Sequence, residues 1–326
     1  MTLASGIGSW PGTSVRSAVH VVRDLLGDHL PYLPELPDRG PGGDMIGRTA
    51  GMLVDLHVDL QPVGWRFVDR PGKDAGRTGA LLREDLDELA EAFDGYTGRL
   101  KVQVVGPWSL AASVWLNRGE RAIVDEGACR DLVESLAEGV RTHIGTVRSL
   151  VPGAEIVLQV DEPSLPTVLA GRLPTASGFG RLPSLDPQVA AAGLATVLGA
   201  HDGETVVHCC VADPPLPLLR AAGPTALSVD TTLLRPRAWE GVAVAVEDGI
   251  RLYAGAVPTD GSLTRAQDVA ERLVEQWRRI GMPLSRLADV VLTPACGLSG
   301  ASPDLATAIQ QSARDTAAEL DERSVD

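Results

Sequence analysis

The stretch VVHCC at residues 206–210 delivers a histidine and two cysteines at the end of a run of strand-forming valines. Side chains alternate along an extended strand, so His208 and Cys210 point to one side and Cys209 to the other. One side therefore offers an imidazole and a thiol to a shared ion, while Cys209 is expected to pack against a helix. Comparable groups end three other apolar runs: Asp161 and Glu162 in VDEP, Asp230 in SVDTT and Cys296 in TPACG. Asp161 and Glu162 are the candidate catalytic carboxylates. Adding Cys296 and one carboxylate to His208 and Cys210 gives two thiolates, an imidazole and an oxygen, a soft tetrahedral set suited to zinc. The competing reading makes each thiol a small buried side chain filling a core, a common post for cysteine.

These groups are far apart in sequence and need a fold that gathers strand ends. Strand-like segments (SGIGSW, PVGWRFV, LKVQVVG, AEIVLQVDEP, ETVVHCC, TALSVDTT, GIRLYAGAV, ADVVLTPACG) alternate with helical patterns almost throughout. Continuous apolar runs such as EIVLQV suit strands buried on both faces, as in a parallel sheet under helices. The long segment 122–150 carries Leu132, Leu136, Val140 and Ile144 on one helical stripe. Eight strands, each followed by a helix or crossover, predict an α/β fold, a single (β/α)8 TIM-type barrel over residues 1–326, with its site at the C-terminal strand ends. No G-x-G-x-x-G follows the first strand, which removes the usual dinucleotide signal.

Twenty-nine Lys and Arg against 43 Asp and Glu leave a net charge of −14. Nucleic acid and anionic membranes both require a basic footprint, so neither is an expected partner. No apolar run approaches the ~20 residues of a membrane-spanning helix. The start, MTLASGIGSWPGTSV, lacks the basic and apolar regions of a signal peptide. The expected compartment is the cytoplasm, where Cys129, Cys209, Cys210 and Cys296 stay reduced.

IGSWP at 7–11, DEP at 161–163, H-x-C at 208–210 and PACGL at 294–298 occur in an order that resembles the catalytic, C-terminal barrel of cobalamin-independent methionine synthase. That family sits in a superfamily with uroporphyrinogen decarboxylase, and the resemblance spans nearly the whole chain. It implies a (β/α)8 barrel and a zinc-dependent methyl transfer to homocysteine. By resemblance, His208, Cys210 and Cys296 ligate zinc, and Asp230 stands where the family has a glutamate ligand. Ile7, Gly8, Ser9 and Asp161 would hold the amino-acid part of homocysteine. A further substrate-holding glutamate belongs after the first helix, where GGDMIGRTAGML offers Asp44 and Arg48 without a clean match.

The donor side departs from the pattern. Ser113 falls near the family's folate-site tryptophan, Thr167 near a folate-contacting glutamate, and only Thr259 and Asp260 stand where a catalytic histidine is expected. The methyl donor is therefore read as a methylated corrinoid protein or methyltetrahydrofolate. The loop RLPTASGFGRLPS, with Gly178 and Gly180, is either a lid over the mouth or a connector. The alternative function is a regulatory zinc-binding barrel that has lost turnover.

Overall fold

The computed structural model describes residues 2–262 and 264–324. Nine strands occur in the order β1 (Leu3–Ala4), β2 (His57–Gln61), β3 (Gly64–Val68), β4 (Arg99–Val105), β5 (Glu155–Asp161), β6 (Thr205–His208), β7 (Ala226–Asp230), β8 (Arg251–Val257) and β9 (Val291–Pro294). Seven of them form one curled parallel sheet, ordered β1-β9-β8-β7-β6-β5-β4. Each stretch between parallel neighbours carries a helix, as right-handed crossovers demand. β6 and β7 are buried at every position, because helices cover one face and the strands curl around a filled interior on the other.

The helices read as their sequences dictate. In Val15–Leu26, the buried residues Val15, Ala18, Val19, Val22 and Leu26 fall on one stripe, and the Ser14 side chain accepts from the N–H of Ser17. Ala266–Arg279 repeats the pattern with Val269, Ala270, Leu273, Val274 and Trp277. Among the described residues no helix is long and apolar enough to cross a membrane.

Three sequence expectations are corrected. PVGWRFV is not a barrel strand: Gly64–Val68 pairs antiparallel with β2 as a hairpin outside the main sheet. The sheet itself is open, with seven strands rather than a closed eight. Leu30–Leu36 runs between its two edges. Leu30 donates to Ala4 O (3.0 Å), Glu35 to Gly8 O (3.0 Å) and Trp10 to Glu35 O (2.8 Å) on the β1 side, while Leu33 donates to Lys101 O (3.0 Å) and Lys101 to Pro31 O (2.9 Å) on the β4 side. Pro31 and Pro34 have no N–H to give, so this segment makes only part of a ladder and carries no strand pattern in sequence. SGIGSW also contributes no strand; the first strand ends at Ala4, and the motif is the loop above it.

Candidate functional site

Register places the chemistry. Asp161 pairs with His208, and His208 with Ser228, so these three side chains stand level at the C-terminal ends of β5, β6 and β7. Cys210 lies two residues beyond β6's His208, and Cys296 two residues beyond β9. Cys209 is fully buried in the core, on the opposite side from His208.

The structure brings Cys210 and Cys296 together, with their sulfurs 3.8 Å apart. Two sulfurs each ~2.3 Å from one tetrahedral zinc lie about 3.8 Å apart, so the pair already has the spacing of two zinc ligands. At this distance either thiol can donate to the other. Cys296 is pulled down to about 6 by the S–H of Cys210 and the N–H of Gly297, and Cys210 is correspondingly pushed up.

His208 and Asp230 are near but do not complete a set. Nδ1 of His208 meets Ser228 Oγ at 2.9 Å, and burial, reinforced by the positive Lys101, drives the imidazole down to about 3, leaving it neutral. A neutral imidazole is the ligating form. Oδ1 of Asp230 accepts from the Thr232 N–H (2.9 Å) and Thr232 Oγ1 (2.6 Å), and burial raises its carboxyl. Among the described residues no three of His, Cys, Asp and Glu converge as a metal-holding group. The thiol pair alone has ligand geometry.

The loops from the first and last strands interlock over this point. Leu298 N–H donates to Ser9 O (3.0 Å) and Ser299 N–H to Ser9 Oγ (3.4 Å). A Cβ on Gly297 would fall 2.1 Å from Ser9 Oγ, so any side chain here would force the Ser9 hydroxyl out of its place. Ile7, Gly8 and Ser9 thereby lie beside Cys296.

Asp161 and Glu162 separate. Asp161 faces the interior, where Gln159 Nε2 donates to its Oδ1 at 2.7 Å, and burial together with the neighbouring Glu35 raises its carboxyl well above the usual range. Glu162 points the other way and is fully buried. Its Oε1 accepts the N–H of Trp108 (2.9 Å), and its Oε2 accepts the N–H (2.9 Å) and Oγ (2.7 Å) of Ser109. Expected as a catalytic carboxylate, Glu162 instead caps the helix Pro107–Ala111, and Gly106 carries no side chain because a Cβ there would meet Oε1 at 2.3 Å.

Asp44 and Arg48, the weak matches for a substrate-holding residue, are committed elsewhere. Asp44 caps the helix Met45–Ala50, and Arg48 is ion-paired with Asp85 in the interior. The residue that sequence reasoning missed is Glu35. It is 3% exposed, its backbone brackets Ser9, and its Oε1 has no hydrogen-bond partner but lies 4.0 Å from Arg48 Nε. Lys101, Gln103 and Gln159 were missed too; each is buried in the interior. The signal was available: polar residues two apart in LKVQVVG and LQVD share a face of otherwise apolar strands.

On the donor side, Ser113 gives its hydroxyl to Ser109 O (2.8 Å), the nearby Trp108, displaced in sequence from the family's folate-site tryptophan, is buried with its indole N–H on Ala190 O (2.8 Å), and Asp260 sits in an exposed turn, accepting from Ser262 N–H (2.9 Å). Thr175–Gly180 forms a tight turn whose tip, Phe179, is completely exposed.

A curled parallel α/β sheet with thiols, an imidazole and carboxylates at its C-terminal edge defines an enzyme-type α/β scaffold with its reactive groups on the loops. Residues 1–319 match the catalytic domain of cobalamin-independent synthase, and the chain belongs to that family. Among solved structures, it aligns with a B12-independent methionine synthase from Shewanella sp. W3-18-1 in complex with selenomethionine, at a TM-score of 0.52 and 13% identity. That alignment covers 73% of this chain and 66% of the other, just under two thirds of its length, and supports the shared fold. The carboxyl transferase domain of Rhizobium etli pyruvate carboxylase with 3-bromopyruvate aligns at a TM-score of 0.25 and 13% identity, over 68% of this chain and 41% of that one, too low a score to bear on the fold. No curated protein matches the chain.

Proposed function

We propose that the chain is a zinc-dependent thiol methyltransferase that methylates homocysteine to methionine. The observation that carries this reading is the Cys210–Cys296 pair at tetrahedral-zinc spacing, set beside the loop Ile7–Ser9 and the interior carboxylates Asp161 and Glu35. Cys210 and Cys296 would hold the zinc, with His208 and Asp230 as the further ligands. Bound zinc lowers a coordinating thiol's pKa so that the thiolate, the nucleophilic form, prevails at neutral pH.

The protein's own groups would orient the substrate. Two buried carboxyl groups, Glu35 with an oxygen that accepts no hydrogen bond and Asp161 held by Gln159, suit an ammonium group. The N–H groups of Gly8 and Ser9 and the Ser9 hydroxyl suit its carboxylate. A substrate anchored at both ends projects its sulfur toward Cys210 and Cys296, in the open part of the mouth. Glu162 acts indirectly, by fixing the turn above β4.

In this reading residues 1–326 form one catalytic domain, and Leu30–Leu36 takes the second position of a (β/α)8 barrel. The donor is a methylated corrinoid protein or methyltetrahydrofolate. Trp108, buried with its N–H engaged, gives a folate ring no stacking face, which favours the corrinoid. Four unpaired cysteines fit the reducing cytoplasm.

A regulatory barrel without turnover is the second reading, favoured by the engagement of Asp230 by Thr232. Zinc-loaded protein is to be assayed for methionine formation from homocysteine with each donor, alongside metal analysis. Zinc near one equivalent and turnover lost in Cys296→Ser support the enzyme. Zinc without turnover on either donor supports the regulatory barrel.

A further inference from the structure

A lysine lies fully buried inside the curled sheet. Lys101 Nζ donates to Ile7 O at 2.8 Å and to Gln159 Oε1 at 2.7 Å, and sits 5.2 Å from the centre of the Tyr32 ring. Gln159 Nε2 donates to the same Ile7 O at 2.8 Å. One carbonyl thus receives two donors, which are themselves bonded to each other. Burying an ammonium is costly, and here its hydrogen-bond partners are neutral acceptors rather than a carboxylate. Asp161 and Glu35 attract the lysine from nearby, but its own hydrogen bonds go to a backbone carbonyl and a side-chain amide.

The carbonyl and N–H of a trans peptide point in opposite directions. With Ile7 O turned onto Lys101 and Gln159, the N–H of Gly8 is turned away from both. Among the described residues, neither the Gly8 N–H nor the Ser9 N–H has a hydrogen-bond partner. The Gly8 N–H is thus a buried donor without an acceptor, the kind of group a ligand satisfies. Drawing hydrogen bonds to Ile7 O also polarises its peptide and strengthens the Gly8 N–H as a donor.

We propose that Lys101 and Gln159 are positioning residues: their double clamp on Ile7 O aims the Gly8 N–H at the substrate's carboxylate, and so selects an α-amino acid over a simple amine thiol. This rests on the homocysteine reading above. The discriminating ligands are homocysteine and 3-mercaptopropylamine, which is homocysteine without its carboxylate. Both carry the thiol and the ammonium, so the ratio of their affinities isolates the carboxylate contact.

Titration calorimetry on the zinc-loaded wild type is expected to give a preference for homocysteine of roughly tenfold to a hundredfold, the size of one charge-assisted hydrogen bond. In Lys101→Met and in Gln159→Leu the preference falls toward unity, while 3-mercaptopropylamine still binds. Melting curves show which variant is folded, and either one suffices. A folded variant that weakens both ligands equally, or keeps the wild-type ratio, overturns the clamp and leaves the homocysteine reading standing. A wild type without preference overturns both.

Discussion

The hydroxyl of Ser228 lies 2.9 Å from Nδ1 of His208, one register step across from β6 to β7, and leaves Nε2 as the ring nitrogen free for a ligand. Groups that orient a metal-binding histidine typically contribute ten- to a hundredfold in metal affinity. Ser228→Ala is therefore expected to weaken zinc binding by about that factor. Competition against a chromophoric chelator measures it, and an unchanged affinity would remove His208 from the ligand set.

The paired thiols give a pH-dependent signature in metal-free protein. Cys296 sits at about 6, so its thiolate prevails above that pH and is lost as pH falls through it. Iodoacetamide should modify Cys296 with a half-maximal rate near pH 6, well below the ~8.5 of a free thiol. Cys210→Ser weakens the donor that holds the thiolate and should shift the profile upward. A wild-type profile centred near the ordinary value would mean that the Cys210 S–H does not donate to Cys296.

Glu162 and Asp161 are neighbours with opposite duties. Glu162→Ala strands the Trp108 and Ser109 N–H groups in the interior, at a cost of about 1–3 kcal/mol. Thermal melting should register that loss. Asp161→Asn should instead leave the melting temperature nearly unchanged and raise KM for homocysteine. The reverse pattern would return Glu162 to the chemistry.

Gly297 and Ser9 are matched in size. Gly297→Ala drives a methyl group into Ser9 Oγ, displacing the Cys296 loop, and should lower zinc affinity. Adding Ser9→Ala removes the clashing oxygen and should restore part of the affinity, since the next contact, Ser9 Cβ, is at 3.3 Å. Unchanged zinc affinity in Gly297→Ala would show that the loop tolerates the methyl by another route, and a loss without recovery in the double variant would show that Ser9 Oγ is not what the methyl meets.

Strand ends were legible because long apolar runs with a polar terminus have one physical explanation, burial followed by emergence at a mouth. VDEP, VHCC and SVDTT are all found there. Segment identity failed where backbone chemistry hides the pattern. Leu30–Leu36 has too few N–H groups to look like a strand, and PVGWRFV has the alternation of one yet belongs to a hairpin. Glu35 was invisible for the same reason, being set among prolines. Glu162's cap could not be read either, since its partners Trp108 and Ser109 are more than fifty positions away and meet it only in the fold.

The β4–β5 pairing runs through seven residue pairs, whereas Leu30–Leu36 is tied to β4 by two backbone hydrogen bonds and to the β1 side by three. The ring of the molecule therefore has a seam, and Glu35 is sewn into it. A ligand whose ammonium bound Glu35 and Asp161 together would cross that seam from one side to the other, so that filling the pocket and fastening its weakest wall become a single event.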